Sequence, residues 1–391
     1  MQYRKNNISI LGYGCMRFTT KAGKIDLEKA EKEVLTAIEN GVNLFDTAYI
    51  YPGSEDALGK IIAKNNLRDK VLIQTKLPQY LCGSRKALDK YFNEELDRLQ
   101  TNYVDYYLMH HMTDYSTWEK LQAIGIEDWI AEKKASGQIR HIGFSFHGNS
   151  EAFIKILNAY DWDSCLIQYN YMDENTQAGR KGVEAAAQKG IPVFIMEPLR
   201  GGKLVDLLPP KAKEEVAAHP SKRSAAEWAF RWLWNQPEVS CVLSGMNTIE
   251  MVKENARIAA DCLPNSFTDE DNAMISKIKD YIQQTTKVNC TGCRYCMPCP
   301  VGIDIPALFR CYNHMYSEGK GSGRSEYIQT TGLREESVFA DKCIKCGKCE
   351  KHCPQELNIR DLLQEADKKV RPLPYKWAIK IGRKFMLKKK S

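Results

Sequence analysis

The sequence predicts an α/β chain in which a (β/α)8 TIM barrel is followed by a small α+β domain. Three observations carry this. The 391 residues are more than one ordinary core accommodates, and they suit a barrel of roughly 250 residues with an addition. Short runs rich in Val, Ile and aromatics alternate with amphipathic stretches of helical period up to about residue 245. Beyond them, eight of the fourteen cysteines crowd into two short runs.

The expected strands are Ile8 to Tyr13, Asn43 to Asp46, Val71 to Thr75, Tyr103 to Leu108, His141 to Phe144, Cys165 to Tyr169, Pro192 to Met196 and Cys241 to Leu243. Each is followed by a helical pattern, as a closed parallel barrel requires. Asp26 reads as the N-cap of the first helix, and Gly41 and Gly190 as glycines that stop helices. A doubly wound sheet is the competing architecture. It would offer a Gly-rich phosphate loop after its first strand, and the chain has no G-x-G-x-x-G there. Thr268 to Thr285 reads as one more helix, so the expected divisions are a barrel over 1–285, a cysteine-rich domain over 286–366 and a basic tail over 367–391.

No run of about 20 apolar residues occurs, which argues against a transmembrane segment. The start MQYRKNNISI lacks the apolar centre of a secretory signal, so a cytoplasmic protein is expected. The net charge of +7 is mild and uneven: Lys368 to Lys390 holds ten Lys or Arg and no acid. No nucleic-acid partner is expected. The basic segment, interspersed with Trp377, Ile379, Ile381, Phe385 and Leu387, reads first as a solvated tail or surface helix, and second as a contact for an acidic partner protein or an anionic membrane surface.

The cysteine runs are Cys290-x2-Cys293-x2-Cys296-x2-Cys299-Pro300 and Cys343-x2-Cys346-x2-Cys349-x3-Cys353-Pro354. Three thiolates spaced by two residues let one loop reach three corners of a cubane, while the fourth, before Pro, turns to the other cluster. By that rule Cys290, Cys293, Cys296 and Cys353 hold one [4Fe-4S] cluster, and Cys343, Cys346, Cys349 and Cys299 hold a second. Zinc is the alternative, although zinc ribbons usually present separated pairs. The pattern resembles bacterial dicluster ferredoxins, which makes the small domain ferredoxin-like. It departs in having x2 before Cys299 and a longer insertion, including GKGSGRSEY, between the runs. Cys15, Cys82, Cys165, Cys241, Cys262 and Cys311 read as ordinary thiols.

Four polar residues fall at one end of successive strands: Asp46, then Tyr51 in the following loop, Lys76 within VLIQTKLP and His110 within VDYYLMHHM. Carbonyl reduction needs a proton donor at the oxygen. Tyr51 supplies it if Lys76 lowers its pKa, with Asp46 aiming Lys76 and His110 orienting the substrate oxygen. Through LGYGCMRF, DTAYIYPGSEDALG, QTKLP, DYYLMH, GFSFH, QYN and EPLRGG, the chain resembles the aldo-keto reductases, and in particular a subgroup fused to a ferredoxin-like domain. The resemblance implies that Asp46, Tyr51, Lys76 and His110 are the catalytic tetrad. It places the nicotinamide carboxamide at Ser145 and Gln168 and the rest of the nucleotide near Ser244 and Asn255; apart from the resemblance, Arg200 or Lys203, in the Gly201-Gly202 loop after strand seven, is expected at the pyrophosphate. Phe146 stands where the family usually has Asn, Met196 where it has a stacking aromatic, and Gly245 and Met251 where basic residues would grip a 2'-phosphate. NAD and NADP both stay open.

The resulting expectation is an NAD(P)H-dependent oxidoreductase acting on a small carbonyl or alcohol. Its two [4Fe-4S] clusters would serve electron transfer or docking of a redox partner protein. Hydride carries two electrons and cubanes pass one, and no flavin motif is visible to join them, although a barrel can hold a flavin phosphate after strands seven and eight. The alternative is an iron-sulfur electron carrier or redox adaptor whose barrel is a docking or sensing scaffold. In a third reading the clusters only staple their own domain.

Overall fold

The computed structural model describes residues 1–290, 292, 294–353 and 355–386. Eight parallel strands close in sequential order: β1 (Leu11–Gly14), β2 (Leu44–Asp46), β3 (Leu72–Leu77), β4 (Val104–Met112), β5 (Ile139–Phe146), β6 (Ser164–Gln168), β7 (Val193–Met196) and β8 (Val239–Ser244). Val242 pairs with Leu11 to shut the barrel, which excludes the doubly wound sheet. The expected first strand is split. Ile8–Ser9 forms a hairpin with Tyr3–Arg4, and Ser9, which donates its hydroxyl to Leu11 O at 2.7 Å and its N–H to Asn43 Oδ1 at 2.9 Å, turns the chain before β1 begins.

Period-two alternation divides the barrel's side chains between two cores. Ile8, Leu44, Tyr106, Leu108, Leu166, Phe194, Cys241 and Leu243 fill the interior. Their neighbours Phe45, Ile73, Tyr107, Met109, Ile167, Ile195 and Val242 face the helices. Gly143 is inward too, and a Cβ there would stand 2.5 Å from the backbone carbonyl oxygen of Ser164, so only glycine lets β5 and β6 approach at this point.

The surrounding helices are α1 (Leu27–Glu39), α2 (Ser54–Lys64), α3 (Arg85–Leu99), α4 (Tyr115–Gln122), α5 (Ile126–Ala135), α6 (Ser150–Leu157), α7 (Gly179–Gln188), α8 (Lys203–Asp206), α9 (Pro210–Ala218), α10 (Ala225–Trp234) and α11 (Ile249–Asp261). Asp26 caps α1 by accepting from Lys29 N at 3.2 Å, and Gly41 and Gly190 take the left-handed conformation that ends α1 and α7. α12 (Asp269–Gln284) buries Met274, Ile275 and Ile278 in the barrel's outer core.

The second domain is built on α13 (Ile305–Ser317) and α16 (Ile359–Val370), each following a cysteine run; Leu308, Phe309 and Tyr312 share one core with Leu363, Ala366 and Val370. Its strand pairing among the described residues is the parallel bridge Ile303 to Val338. The insertion between the runs forms α14 (Lys320–Tyr327), and α15 (Lys348–Lys351) is a short turn inside the second run. The basic segment is folded as far as Met386, and Leu387 and the residues after it lie outside the described residues. α16 runs to Val370, and α17 (Leu373–Met386) follows it.

Candidate active site

The last inward position of each strand meets the C-terminal mouth, where barrels carry their chemistry. On β2 the inward row of Leu44 ends with Asp46, on β3 the row of Leu72 and Gln74 ends with Lys76, and on β4 the row of Tyr106 and Leu108 ends with His110. All three are buried. Lys76 Nζ donates to Asp46 Oδ1 at 2.6 Å and to Thr47 O at 2.6 Å, and Gln74 Nε2 donates to the same Asp46 oxygen at 2.7 Å. Tyr51 arrives from the turn before α2, where its N–H donates to Ala48 O at 3.0 Å and its carbonyl accepts from Ser54 N at 3.0 Å. Gly53, at φ 71°, lets that turn pass into the helix. The Tyr51 ring lies 5.0 Å from Lys76 Nζ and 6.1 Å from the His110 ring. The four residues expected to act together do meet.

Burial is the largest influence on Tyr51 and raises its pKa; Lys76 pulls it down without prevailing. The expectation of a lowered phenol is thereby corrected. A desolvated phenol keeps its proton, and the ammonium beside it already shares its charge with Asp46. Burial works to lower Lys76, but Asp46 and Tyr51 outweigh it and hold the ammonium above its ordinary value. Burial and then Lys76 push His110 well below the usual histidine range, so its imidazole is neutral. Its Nδ1 has no hydrogen-bond partner among the described residues.

β4 bulges between Met109 and Met112, and His111 adopts φ 55°. The bulge aims His111 N at Ser145 Oγ, 2.8 Å away at the inward end of β5. Phe146, on the other face of β5, is buried against Phe144 and Phe153 and does not reach the mouth. Gln168 ends β6, but its amide is already engaged: Nε2 donates to Asp173 Oδ2 at 2.5 Å, and Oε1 accepts from Gln177. Ser244 ends β8 and accepts from Asn255 Nδ2 at 3.2 Å.

Arg200 is placed differently from the expectation. It leaves the loop after β7 at φ 50° and is buried beneath the second domain, with Glu318 at 3.0 Å, Asp173 at 3.4 Å and Glu326 at 3.6 Å. Lys203 likewise meets Glu318 at 2.9 Å. Arg310 on α13 joins the same cluster through Asp173 at 3.6 Å, Glu326 at 3.1 Å and Thr176 Oγ1 at 2.7 Å, and His314 pairs with Glu326. Burial alone would raise both carboxyls, but Arg200, Arg310 and His314 hold Asp173 below and Glu326 well below the usual carboxylate range. A second buried pair, Asp114 with Arg334, and the exposed contacts Lys120 to Glu335 (2.6 Å) and Arg294 to Glu151 (3.2 Å) extend the joint. The second domain therefore sits on the loops after β4, β5, β6 and β7. The sector of β8, β1 and β2 keeps Met16, Arg17 and Ile50 exposed.

Sequence reasoning missed this joint because its partners lie more than a hundred positions apart, as in Arg334 and Asp114, |i−j| of 220. It also passed over Arg17, within the GCMR motif. The guanidinium of Arg17 is so close to the Gly201 backbone that a Cβ there would stand 2.6 Å from Nη2, and its Cδ would be 2.8 Å from a Cβ on Gly245. Arg17 is thus an exposed cation wedged between the loops after β7 and β8, and the motif itself was the available signal.

In the second domain the thiols of Cys290, Cys296, Cys299, Cys343, Cys349 and Cys353 stand half-buried at one core, with Cys346 exposed. Cys293 lies outside the described residues. Lys345 N donates to Cys343 Sγ at 3.4 Å, and the left-handed Lys345 and Gly347 curl the second run around its thiols. Thiolates are soft donors that suit iron-sulfur ligation, but no three of the described residues stand grouped as a metal site. Among the scattered cysteines, burial pushes Cys82 up to about 12 and Cys262 up to about 11, which keeps both protonated.

A barrel with a polar constellation at its mouth and a separate thiol-rich domain defines an oxidoreductase class. Residues 10–280 match the aldo/keto reductase family, and residues 289–358 match a 4Fe-4S dicluster domain. The chain belongs to the aldo/keto reductase family and carries that dicluster domain behind its barrel. Among curated relatives, L-galactose dehydrogenase of Arabidopsis thaliana is 25% identical over 71% of this chain and 93% of its own length. A methylglyoxal reductase of Escherichia coli is 28% identical over 59% and 79%. Among solved structures, an aldo-keto reductase from Bacillus halodurans in its holo form superposes with a TM-score of 0.58 at 25% identity, covering 69% of this chain and 92% of that one. An aldo-keto reductase from Klebsiella pneumoniae in complex with NADPH gives 0.57 at 22%, covering 70% and 91%, a likeness of fold.

Proposed function

We propose that the protein interconverts a small carbonyl compound and its alcohol with a nicotinamide cofactor, using Tyr51, Lys76, Asp46 and His110, and that its second domain carries two [4Fe-4S] clusters. The observation that carries the reading is the buried Lys76 ammonium, fixed between Asp46 and the Tyr51 ring. A bound nicotinamide supplies or accepts the hydride. Tyr51, neutral because burial holds its proton, donates that proton to the carbonyl oxygen as charge develops there. Lys76 stabilises the phenolate left behind, Asp46 keeps Lys76 charged and aimed, and neutral His110 donates to the same oxygen. Ser145 retains its hydroxyl proton for a carboxamide, since among the described residues its Oγ serves as an acceptor from His111 N. Arg17, Ser244 and the N-terminus of α11 form the sector left for a pyrophosphate.

Bound cubanes pass single electrons. The crossed cysteine sets expected from the spacing would hold them; what supports the reading is that described cysteines of both runs pack against one core. A second reading, in which the protein is a redox adaptor and the barrel a scaffold, is favoured by Gln168, whose amide already donates to Asp173 and accepts from Gln177, leaving one N–H and one lone pair for a nicotinamide carboxamide. Anaerobic turnover of small aldehydes with NADPH and with NADH, in wild type and in Tyr51→Phe, separates the two. Turnover that requires the Tyr51 hydroxyl supports the reductase; no turnover with any aldehyde, while iron is fully loaded, supports the adaptor.

A further inference from the structure

α17 is held to the second domain by one face only. Ile379 is buried, Gly382 passes so close to Leu333 that a Cβ would stand 2.7 Å from its Cδ2, and Arg383 Nη2 donates to Arg334 O at 2.9 Å and Glu335 O at 2.8 Å. On the opposite face Leu373, Trp377, Ile381 and Phe385 are 74%, 63%, 64% and 66% exposed. They recur every four residues and so form one unbroken row, about 18 Å long at the helical rise. Beside it runs a second exposed row of the same spacing, Lys376, Lys380 and Lys384, and Lys380 Nζ stands 5.7 Å from the Trp377 ring. From Lys368 to the last residue the sequence contains no Asp or Glu.

A single exposed hydrophobe is ordinary, whereas four in a continuous row on a fixed helix mark a contact surface. The two rows together identify what is contacted. An apolar protein groove has no use for the lysines, and an acidic protein surface has none for four large apolar side chains. An anionic bilayer takes both: the apolar row enters the boundary between headgroups and acyl chains, Trp377 sits at the interface, and the lysines lay their stems along the apolar row and their ammonium groups among headgroup phosphates. Among the described residues no helix is long and apolar enough to cross a membrane, so the contact lies in the plane of the surface. We propose that α17 docks the protein on anionic lipid, with the cluster-bearing domain rather than the barrel against the membrane.

The test uses the full-length, anaerobically prepared protein and flotation with phosphatidylcholine vesicles containing about one quarter phosphatidylglycerol. Wild type should float with these vesicles and not with phosphatidylcholine alone. The double variant Trp377→Ser, Ile381→Ser should bind at least about tenfold less, with iron content and denaturation midpoint unchanged because both side chains point into solvent. Lys376→Gln, Lys380→Gln, Lys384→Gln should abolish the preference for anionic lipid. No flotation of wild type, or equal flotation of the double variant, would overturn the proposal. So would self-association that the double variant removes while wild type ignores lipid, which would assign the row to a second copy of the chain.

Discussion

Arg200 Nη2 reaches Glu318 at 3.0 Å, so the loop that follows β7 is joined through a buried ion pair to the domain that carries the cysteines. An arginine expected at a nucleotide pyrophosphate is instead part of a joint that covers half of the barrel mouth. Both residues are buried, and their charges are tolerated because Asp173, Glu326, Arg310 and Lys203 complete the network.

The catalytic prediction concerns the proton donor. Tyr51→Phe should lower carbonyl reduction by about two to four orders of magnitude, with nucleotide binding and iron content retained, since the ring remains and only the hydroxyl is lost. Steady-state kinetics with NADPH or NADH checks it, and unaltered kcat would show that the proton comes from elsewhere.

Lys76→Met removes the only ammonium paired with Asp46 among the described residues. It should reduce turnover at least as strongly and leave Asp46 a buried, uncompensated carboxylate, at a cost of about 3–5 kcal/mol. Chemical denaturation followed alongside activity separates the two effects. Asp46→Asn combined with Lys76→Met should recover stability without recovering turnover.

The joint can be opened at its other buried pair. Arg334→Met strands Asp114, which lies at the entrance to α4, and should destabilise the docked arrangement by about 3–5 kcal/mol. Faster limited proteolysis between the domains and increased amide exchange at Glu326 and Arg310 are the expected readouts. Protection equal to wild type would mean that the remaining network holds the domain alone.

Acid should weaken the protein in two stages. Burial holds His147 down to about 3 and also depresses His110, His111 and His141. Unfolded histidine titrates near 6.5, so below that pH the unfolded chain binds protons the folded chain refuses, and stability falls as pH drops. Asp173 and Glu326 have depressed folded values, so their contribution is complete above about pH 5 and is lost on further acidification. The melting temperature should therefore decline from pH 7 to pH 5, and His147→Gln should flatten that decline. A flat profile in wild type would contradict it.

Cofactor analysis of anaerobic protein should give about eight iron and eight sulfide per chain. Cys346→Ser should lower both and leave NAD(P)H-dependent turnover largely intact, because no visible cofactor converts single electrons to hydride. Stoichiometric zinc without sulfide would reverse the assignment.

Much of this was written locally in the sequence. The barrel follows from apolar runs of period two alternating with helices capped by residues such as Asp26, because backbone geometry converts such patterns into elements within a few residues. Asp46, Lys76 and His110 were legible for the same reason: each falls at the C-terminal end of a run that the sequence marks as a strand. The cysteine spacing is likewise a local property, set by how far one loop can reach around a cluster. Tertiary structure decided what depends on distant partners. It buried Tyr51 enough to raise rather than lower its pKa, turned Arg200 and Lys203 from the nucleotide side toward Glu318, and drew Gln168 into the circle of Asp173. It also folded the basic segment from Leu373 to Met386 into α17, fixing Ile379 inward and leaving Trp377 outward. Long-range charge pairing and desolvation depend on which surfaces meet, and the period of a single segment carries no record of the surface that will cover it.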